Sequence, residues 1–281
     1  MSQKRNVIVT ECITGGASGI GLGITKHFIQ DSNKRTHITI LDINPQTGAQ
    51  TLAQLRTDFP SAEISFEECD VSSWESQATA FKKTYNQHGS IDLVFANAGI
   101  TEKGSFLPKD ANAGPVKPNL ATLNVNLIGV VYCEIVPVDR TVQLAIHYMS
   151  RNGGGLICCT ASNAGLYPFP IAPMYAATKH GVIGLVRSLA RSLVPNGIRI
   201  NALAPAVIET NIAPSSDLFK SMILTPMSTV SKAVEMFVDD ESLTGKIAEL
   251  HGEHATLSEP PAYVDEDTGK NIETFWNLGY A

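Results

Sequence analysis

A chain of 281 residues can form one large α/β domain or two small ones. Hydrophobic residues make up 43% of it and charged residues 17%, a balance that supports a substantial buried core and excludes a disordered chain. The formal net charge of −6 gives no electrostatic basis for nucleic acid or an anionic membrane as a partner. No linker or internal repeat divides the sequence, so we predict a single domain over residues 1–281.

The cysteines and the N-terminus indicate the compartment. The five cysteines show no C-x-x-C spacing and fall mostly in apolar runs, where a reduced cysteine behaves as a small hydrophobe. This usage predicts a reducing compartment without disulfides. The opening MSQKRNVIVTECITGG is typical of a first strand that enters a glycine turn rather than of a signal peptide. No apolar run approaches the length of a membrane span, so we expect a cytoplasmic protein.

Apolar, β-branched runs alternate with helical segments along the chain. The candidate strands are NVIVTECIT (6–14), HITILDI (37–43), AEISFEECDV (62–71), IDLVFANAG (91–99), GLICCTAS (155–162) and IRINALAP (198–205). Helical segments fall between them, for example at 20–30, 46–58, 73–87 and 174–193. The pattern predicts an α/β chain with a single-domain Rossmann fold, in which a doubly wound parallel sheet of about seven strands carries helices on both faces.

The first strand runs into a glycine-rich turn, TGGASGIG (14–21), that opens the first helix. Glycines at these positions let the backbone approach a diphosphate closely, and the helix N-terminus supplies N–H donors and a positive dipole. The predicted cofactor contacts in this turn are Gly15, Ser18, Gly19, Ile20 and Gly21. A glycine turn between a strand and a helix therefore predicts a dinucleotide cofactor.

An acidic residue ends the second strand, in Leu41-Asp42-Ile43. A carboxylate at this point can accept hydrogen bonds from both adenosine ribose hydroxyls and repel a 2′-phosphate. The alternative is that Asp42 is a solvated strand-end carboxylate or a helix cap. No basic residue stands at Ser18 or Ile43, where a cation would bind a phosphate, so the sequence favours NAD(H) over NADP(H). No metal is predicted.

The segment TASNAGLYPFPIAPMYAATK (160–179) contains a candidate proton-handling site. Ser162 lies at a strand end, and Tyr175 and Lys179 lie one helical turn apart on the same face. Oxidation of an alcohol requires removal of its hydroxyl proton, and a phenol with a pKa near 10 is mostly protonated at neutral pH. An ammonium group nearby lowers that pKa, so Lys179 can make Tyr175 a usable acid/base, with Ser162 orienting the substrate oxygen. The alternative is that Tyr175 and Lys179 are surface residues of an amphipathic helix.

These motifs together resemble one known family. The glycine turn, CDV (69–71), NAG (97–99), Asn126, Ser162, Tyr175-x-x-x-Lys179 and PAVIET (205–210) occur in the order of the short-chain dehydrogenase/reductase family. Within it, MSRNGGG, TASNAGL, YAATKHG and the position of Asp42 are similar to the NAD-dependent hydroxyprostaglandin dehydrogenase branch. The resemblance runs from about residue 6 to residue 250.

The resemblance implies roles for further residues. It supports Tyr175 as acid/base, Lys179 as the residue that holds the nicotinamide ribose, and Asn126 as the holder of a water in a proton relay, with Asn124 as the competing assignment. The other implied cofactor contacts are Ile43, Asp70, Val71, Asn97, Ala98, Gly99, Pro205, Ile208 and Thr210. For Asn97, a purely structural role between strands remains open.

Three features depart from the family pattern. Pro205 is followed by Ala206 instead of glycine, which can shift the loop on the nicotinamide side. The first strand is longer by about three residues, which predicts either a longer strand or a bulge. The helix after Asn126 gains about eight residues at 134–141, and Pro137 predicts a kink or a looped-out excursion there. Since that helix often forms a subunit interface in the family, the insertion leaves the expected homodimer or homotetramer open.

The substrate side is predicted from apolar segments. We expect a wall from Gly165–Met174, with Tyr167 as an alternative hydrogen-bond partner of the substrate, a lid near 211–240, and an irregular polar tail at 251–281. The candidate lid residues are Phe219, Met222, Ile223, Leu224, Met227 and Met236. Because few charges occur in these segments, an apolar secondary alcohol or ketone is the favoured substrate.

The sequence as a whole predicts an NAD(H)-dependent oxidoreductase. Two alternatives use the same scaffold: a dinucleotide-binding sensor or interaction protein without turnover, and an enzyme of non-redox natural-product chemistry. The complete set Ser162, Tyr175 and Lys179 argues against the sensor.

Overall fold

The computed structural model describes residues 9–30, 36–105, 114, 116–130, 141–212 and 216–279. Its strands are β1 (Val9–Thr14), β2 (Thr36–Asp42), β3 (Glu63–Glu68), β4 (Leu93–Ala96), β5 (Gly155–Thr160), β6 (Ile198–Pro205), β7 (Ile247–His251) and β8 (His254–Ser258). Its helices are α1 (Gly19–Gln30), α2 (Pro45–Asp58), α3 (Trp74–His88), α4 (Ala121–Leu123), α5 (Thr141–Asn152), α6 (Pro173–Leu193), α7 (Met227–Asp239) and α8 (Glu266–Asn277). A π-helical turn, Asn124–Ile128, follows α4 directly. No described helix combines the length and the apolar character that a membrane span needs.

The strands form one sheet in the order β3-β2-β1-β4-β5-β6-β7-β8. All neighbours from β3 to β7 are parallel, and β8 is antiparallel to β7. This confirms the predicted doubly wound Rossmann fold, with eight strands instead of about seven. Because β1 is flanked by β2 and β4, whose connections run to opposite sides, the carboxyl ends of β1 and β4 border a crevice of the kind that holds ligands in such sheets.

Helices cover both faces of the sheet. In β5, Ile157 and Cys159 point into a core shared with α3, α5 and α6, whereas Leu156 and Cys158 point into a core shared with α1, α2 and α7. Alternate residues of a strand face opposite sides, so a sheet buried on both faces needs apolar residues at every position. This two-sided burial explains the continuous apolar runs in the sequence.

The prediction of an irregular tail at 251–281 is wrong. A turn with Gly252 at φ 51° lets the chain reverse, so that β8 pairs with β7. Farther on, the Asp265 side chain accepts a hydrogen bond from the Thr268 N–H at 2.8 Å and caps α8. The polar character of the tail reflects a strand at the sheet edge and an exposed helix rather than a lack of structure.

Helix α8 lies against the C-terminal half of α6. Arg191 of α6 pairs with Glu273 at 2.7 Å, and its guanidinium lies 4.5 Å from the ring centre of Trp276. Arg187 of α6 donates to the Ser258 carbonyl at the end of β8, at 3.2 Å. The tail therefore packs onto the helix that also carries Tyr175 and Lys179.

The range 211–240, predicted as a lid, divides into two parts. Its second part is α7, which buries Val230, Val234 and Phe237 in the core beside α1. These residues belong to the body of the fold, because α7 covers the sheet next to α1. Its first part contains a 3₁₀ turn, Ser216–Ser221, followed by an exposed Ile223. A lid formed by this first part stays a prediction.

The lengthened first strand is regular. β1 pairs with β2 without interruption from Val9 opposite Thr36 to Thr14 opposite Leu41. Over these residues, the extra length extends the strand and makes no bulge.

The insertion predicted at 134–141 falls outside the described residues, apart from its last residue, Thr141. The helix on either side is nevertheless joined, because the Val142 N–H donates to the Val130 carbonyl at 3.3 Å and the Thr141 hydroxyl donates to the Gly129 carbonyl at 2.9 Å. In an uninterrupted α-helix such a bond links residues four apart, whereas here it spans twelve positions. These two bonds hold the start of α5 against Gly129 and Val130.

Candidate active site

A cavity of about 460 Å³ lies at the carboxyl ends of the parallel strands. It is large enough for a cofactor or a small ligand. Most of the predicted site residues line it, namely Gly15, Ser18, Gly19, Ile20, Asp42, Ile43, Asp70, Val71, Asn97, Ala98, Gly99, Ser162, Tyr175, Lys179, Pro205, Ile208 and Thr210. Three predicted residues, Gly21, Asn126 and Tyr167, are absent from its described lining.

The nucleotide half of the cavity is a close junction between the glycine turn and the end of β4. Gly15 has φ 63°, and a Cβ added to it would lie 3.0 Å from the Ala98 Cα. The Thr14 hydroxyl oxygen accepts hydrogen bonds from the N–H groups of Asn97 and Ala98, at 2.9 and 3.0 Å. Gly21 serves packing, since a Cβ there would meet the Gly15 carbonyl oxygen at 2.3 Å. The backbone therefore leaves a cradle into which a diphosphate fits.

Asp42 occupies the end of β2 at the rim of this cradle. Its carboxylate accepts hydrogen bonds from the Ala17 N–H at 3.2 Å and the Asn44 N–H at 3.1 Å. The neighbouring Ile43 side chain is 61% exposed. Among the described residues, the basic side chains that line the cavity are Lys103 and Lys179, and neither adjoins Asp42 in the sequence. This end of the cavity therefore presents carboxylate oxygens, which accept hydrogen bonds.

The proton-handling residues meet at the other end of the cavity. Helix α6 places Tyr175 and Lys179 one turn apart, and the Lys179 Nζ lies 5.6 Å from the centre of the Tyr175 ring. The same Nζ donates to the Thr160 carbonyl at 2.8 Å. The Ser162 hydroxyl accepts a hydrogen bond from the Ala164 N–H at 3.1 Å and donates one to the Asn163 Oδ1 at 3.2 Å. Ser162 is thereby held at the end of β5, facing the cavity.

The acidity of these groups differs from the expectation. Burial raises the pKa of Tyr175 above its ordinary value, and the hydrogen bond with Ser162 offsets this in part. Burial also lowers the pKa of Lys179 from 10.5 to about 8. In this structure loss of water around the phenol therefore dominates the acidity of Tyr175, and the lowering of its pKa by Lys179 stays a prediction.

We expect Lys179→Met to raise the free energy of unfolding at pH 7. The lowering of the Lys179 pKa from 10.5 to about 8 means that burying the charged lysine costs the folded protein at most about 3 kcal/mol. The substitution removes this cost but also loses the hydrogen bond to Thr160, which is worth about 1 kcal/mol. Since the pKa is lower in the folded state, this cost is complete below pH 8 and disappears as the pH rises toward 10.5. Urea unfolding from pH 7 to 10 measures it.

Lys270→Met on the exposed surface of α8 is the matched control and should leave the free energy of unfolding nearly unchanged at every pH. A Lys179→Met variant with a lower free energy of unfolding than the wild type at pH 7 contradicts the argument. So does a variant whose gain in free energy of unfolding stays constant above pH 8.

Asn126 is buried beside the cavity, whereas Asn124 is exposed. The Asn126 side chain donates to the Ile100 carbonyl and accepts from the Ile100 N–H, both at 2.8 Å. The location favours Asn126 over Asn124 as the site residue. Its amide group holds the loop after β4, and its role in a proton relay stays a prediction.

The sequence interpretation missed the loop after β4. Ile100, Thr101 and Lys103 line the cavity, and Glu102 contacts the first turn of α6. The sequence indicates that a cap is missing, because α6 begins at Pro173 with alanine before it, but it does not indicate that Glu102 supplies the cap.

Tyr167 does not face the described cavity. Its hydroxyl donates a hydrogen bond to Glu249 at 2.9 Å on β7, and the side chain is 51% exposed. The acceptor Glu249 also raises the pKa of this phenol. In this structure Tyr167 is turned toward β7, and its contact with substrate stays a prediction. The apolar lining of the described cavity includes Ile100 and Ile212, whereas Phe169 of the predicted wall Gly165–Met174 lies with its ring 6.4 Å from the ring of Tyr175.

Comparisons with known proteins agree with this geometry. A family model described as short chain dehydrogenase matches residues 9–220. The short-chain dehydrogenase/reductase prx7 of Penicillium rubens is 34% identical over 254 residues, which cover 85% of this chain and 84% of that protein. The 15-hydroxyprostaglandin dehydrogenase [NAD(+)] of Rattus norvegicus is 29% identical over 261 residues, covering 85% and 89%. The crystal structure of gox2181 matches with a TM-score of 0.71 at 25% identity, over 86% of this chain and 93% of that one.

These matches cover the glycine turn, the crevice and the helix with Tyr175 and Lys179. The predicted similarity to the hydroxyprostaglandin dehydrogenase branch is confirmed by the rat relative. Members of the family bind a nicotinamide dinucleotide, which is the class of ligand that the cradle fits. The chain belongs to the short-chain dehydrogenase/reductase family of oxidoreductases.

Proposed function

We propose that the protein is an NAD(H)-dependent oxidoreductase that interconverts an apolar secondary alcohol and its ketone. One observation carries the proposal: a single cavity joins the glycine cradle and Asp42 to Ser162, Tyr175 and Lys179. A cofactor in the cradle and an alcohol beside Tyr175 would share that cavity. Bound NAD supplies the acceptor for the hydride that leaves the alcohol carbon.

The residues of this chain supply the proton chemistry. Tyr175 removes the hydroxyl proton of the alcohol, or returns it to the ketone oxygen in the reverse direction. Ser162 donates a hydrogen bond to the same oxygen, which fixes its distance from Tyr175. Lys179 would bind the ribose next to the nicotinamide, and its positive charge, one helical turn from Tyr175, would favour the phenolate.

The substrate class rests on the apolar side chains that line the cavity. Ile100, Val125 and Ile212 contribute apolar surface to the cavity, and Ile223 stands exposed in the segment that we propose as a lid. An apolar body with one hydroxyl group fits this lining better than a sugar phosphate does. Lys103 is the exception in this region, and it carries its charge at an exposed position.

NAD is proposed as the cofactor because of Asp42. At the end of β2 its carboxylate can accept hydrogen bonds from the ribose hydroxyls of adenosine and would repel a 2′-phosphate. The relatives named as hydroxyprostaglandin dehydrogenases carry NAD(+) in their names, which supports the choice.

A panel assay tests the proposal. NADH formation is measured with purified protein over a series of apolar secondary alcohols, with NADP as the parallel cofactor. We expect turnover with at least one alcohol and a clear preference for NAD. Binding of NAD without turnover of any alcohol or ketone would favour the sensor, and conversion of a candidate substrate without a change in cofactor oxidation state would favour non-redox chemistry.

We also propose that the protein forms a homodimer or a homotetramer. Size-exclusion chromatography with light scattering tests this oligomeric state.

A further inference from the structure

The first turn of α6 lacks the usual capping side chain. An α-helix leaves its first N–H groups without backbone partners, and a Ser, Thr, Asp or Asn before the helix normally accepts from them. Ala172 occupies that place and has no such side chain. Pro173 has no N–H, and the Ala176 N–H donates to the Ala172 carbonyl at 2.9 Å. The donors that remain are the N–H groups of Met174 and Tyr175.

One carboxylate from a distant part of the chain accepts from both donors. Glu102 Oε1 accepts from the Met174 N–H at 3.3 Å, and Glu102 Oε2 accepts from the Tyr175 N–H at 2.7 Å. A negative charge at a helix N-terminus is also favoured by the helix dipole. Glu102 therefore binds directly to the backbone of the residue whose phenol faces the cavity.

The loop that carries Glu102 is fixed on its other side as well. Asn126 holds both backbone groups of Ile100 at 2.8 Å. The Thr122 hydroxyl donates to the Thr101 carbonyl at 3.1 Å and accepts from the Lys103 N–H at 2.9 Å. The loop is thus a short bridge between the segment 121–128 and the first turn of α6, and Glu102 is its contact with α6.

We propose that Glu102 is a positioning residue that holds Tyr175 in place and disfavours its phenolate. The role rests on the proposed function, in which Tyr175 is the acid/base. The carboxylate prevents the first turn of α6 from fraying, so that the phenol stays in line with Ser162. Its charge acts on the phenol in the opposite sense to the charges of Lys179, on the same helix, and Lys103, on the same loop as Glu102.

Two substitutions separate geometry from charge. Glu102→Ala removes both the two hydrogen bonds to α6 and the negative charge. We expect kcat to fall about tenfold, while the Kd for NAD stays within about twofold of the wild type. Glu102→Gln keeps one acceptor oxygen and removes the charge. We expect it to recover most of kcat, while the pH midpoint of kcat/KM falls by about half a unit, because the phenolate forms more easily. Amide hydrogen exchange at Met174 and Tyr175 should accelerate strongly in Glu102→Ala and less in Glu102→Gln.

Asp265→Ala is the matched control, because it removes a carboxylate cap from α8, which carries no site residue. It should leave kcat and the pH midpoint unchanged. The proposal would be overturned if both Glu102 variants kept the wild-type kcat and the wild-type pH midpoint of kcat/KM. It would also be overturned if the variants lost thermal stability and changed in no other respect. If Glu102→Ala does not fold, the pH midpoint of kcat/KM in Glu102→Gln tests the proposal, and an unchanged midpoint contradicts it. A wild-type protein without turnover would contradict the proposed function instead, and unchanged exchange at Met174 and Tyr175 in Glu102→Ala would then contradict the cap.

Discussion

Replacing Tyr175 with phenylalanine is expected to lower kcat by about 10³-fold while NAD binding stays nearly unchanged. A positioned general acid or base contributes roughly 10² to 10⁴ in rate, and we propose the phenol of Tyr175 for that role. Phenylalanine keeps the ring, which lies 6.4 Å from the ring of Phe169, and removes the hydroxyl alone. The measurement pairs steady-state kinetics with a titration of NAD.

Tyr263→Phe is the control for this change. Tyr263 lies in the segment between β8 and α8 and is exposed, so its hydroxyl has no part in the cavity. We expect wild-type kinetics from it. Turnover that survives Tyr175→Phe at the wild-type rate would show that another group handles the proton, and the proposed mechanism would be wrong.

The second large effect is expected on the preference of the enzyme for NAD over NADP. The double substitution Asp42→Ser with Ile43→Arg should change the ratio of kcat/KM for NAD to that for NADP by about 10²-fold or more, in favour of NADP. Removing the carboxylate ends its repulsion of a 2′-phosphate, and arginine can bind that phosphate with charge-assisted hydrogen bonds, each worth roughly 1.5–3 kcal/mol. Since Ile43 is 61% exposed, the arginine side chain needs no repacking.

Serine keeps one acceptor for the N–H groups of Ala17 and Asn44, which limits the damage to the turn. Asp58→Ser, which removes a carboxylate at the far end of α2, is the matched control and should not alter the cofactor ratio. A wild-type protein that prefers NADP, or a double variant that still prefers NAD as strongly as the wild type, would contradict the role of Asp42.

The fold and most of the lining could be predicted because both depend on local sequence signals. Parallel strands buried on two faces need apolar runs, and their carboxyl ends meet at one edge of the sheet. Residues that directly follow those runs, such as Asp42, Asn97 and Ser162, are therefore brought together whatever the details of packing. Tyr175 and Lys179 share a face because they lie one turn apart in a helix.

The parts that could not be predicted depend on contacts between distant residues. The Glu102 cap joins positions far apart in the chain, and no local pattern marks glutamate in a loop as the partner of a helix end. Tyr167 lies in an apolar run that suggested a pocket wall, but Glu249 from β7 supplies an acceptor that turns its hydroxyl away. The acidity of Tyr175 likewise depends on how completely water is excluded, which spacing does not reveal.

The central claim is that an alcohol beside Tyr175 passes its hydride to a cofactor in the same cavity. The direct measurement uses a secondary alcohol that is active in the panel, deuterated at its carbinol carbon, with NAD as acceptor. Mass spectrometry of the nucleotide product should find one deuterium in the NADH formed by the wild type, and almost no NADH from Tyr175→Phe. Ketone formation without deuterium in the nucleotide would contradict the account.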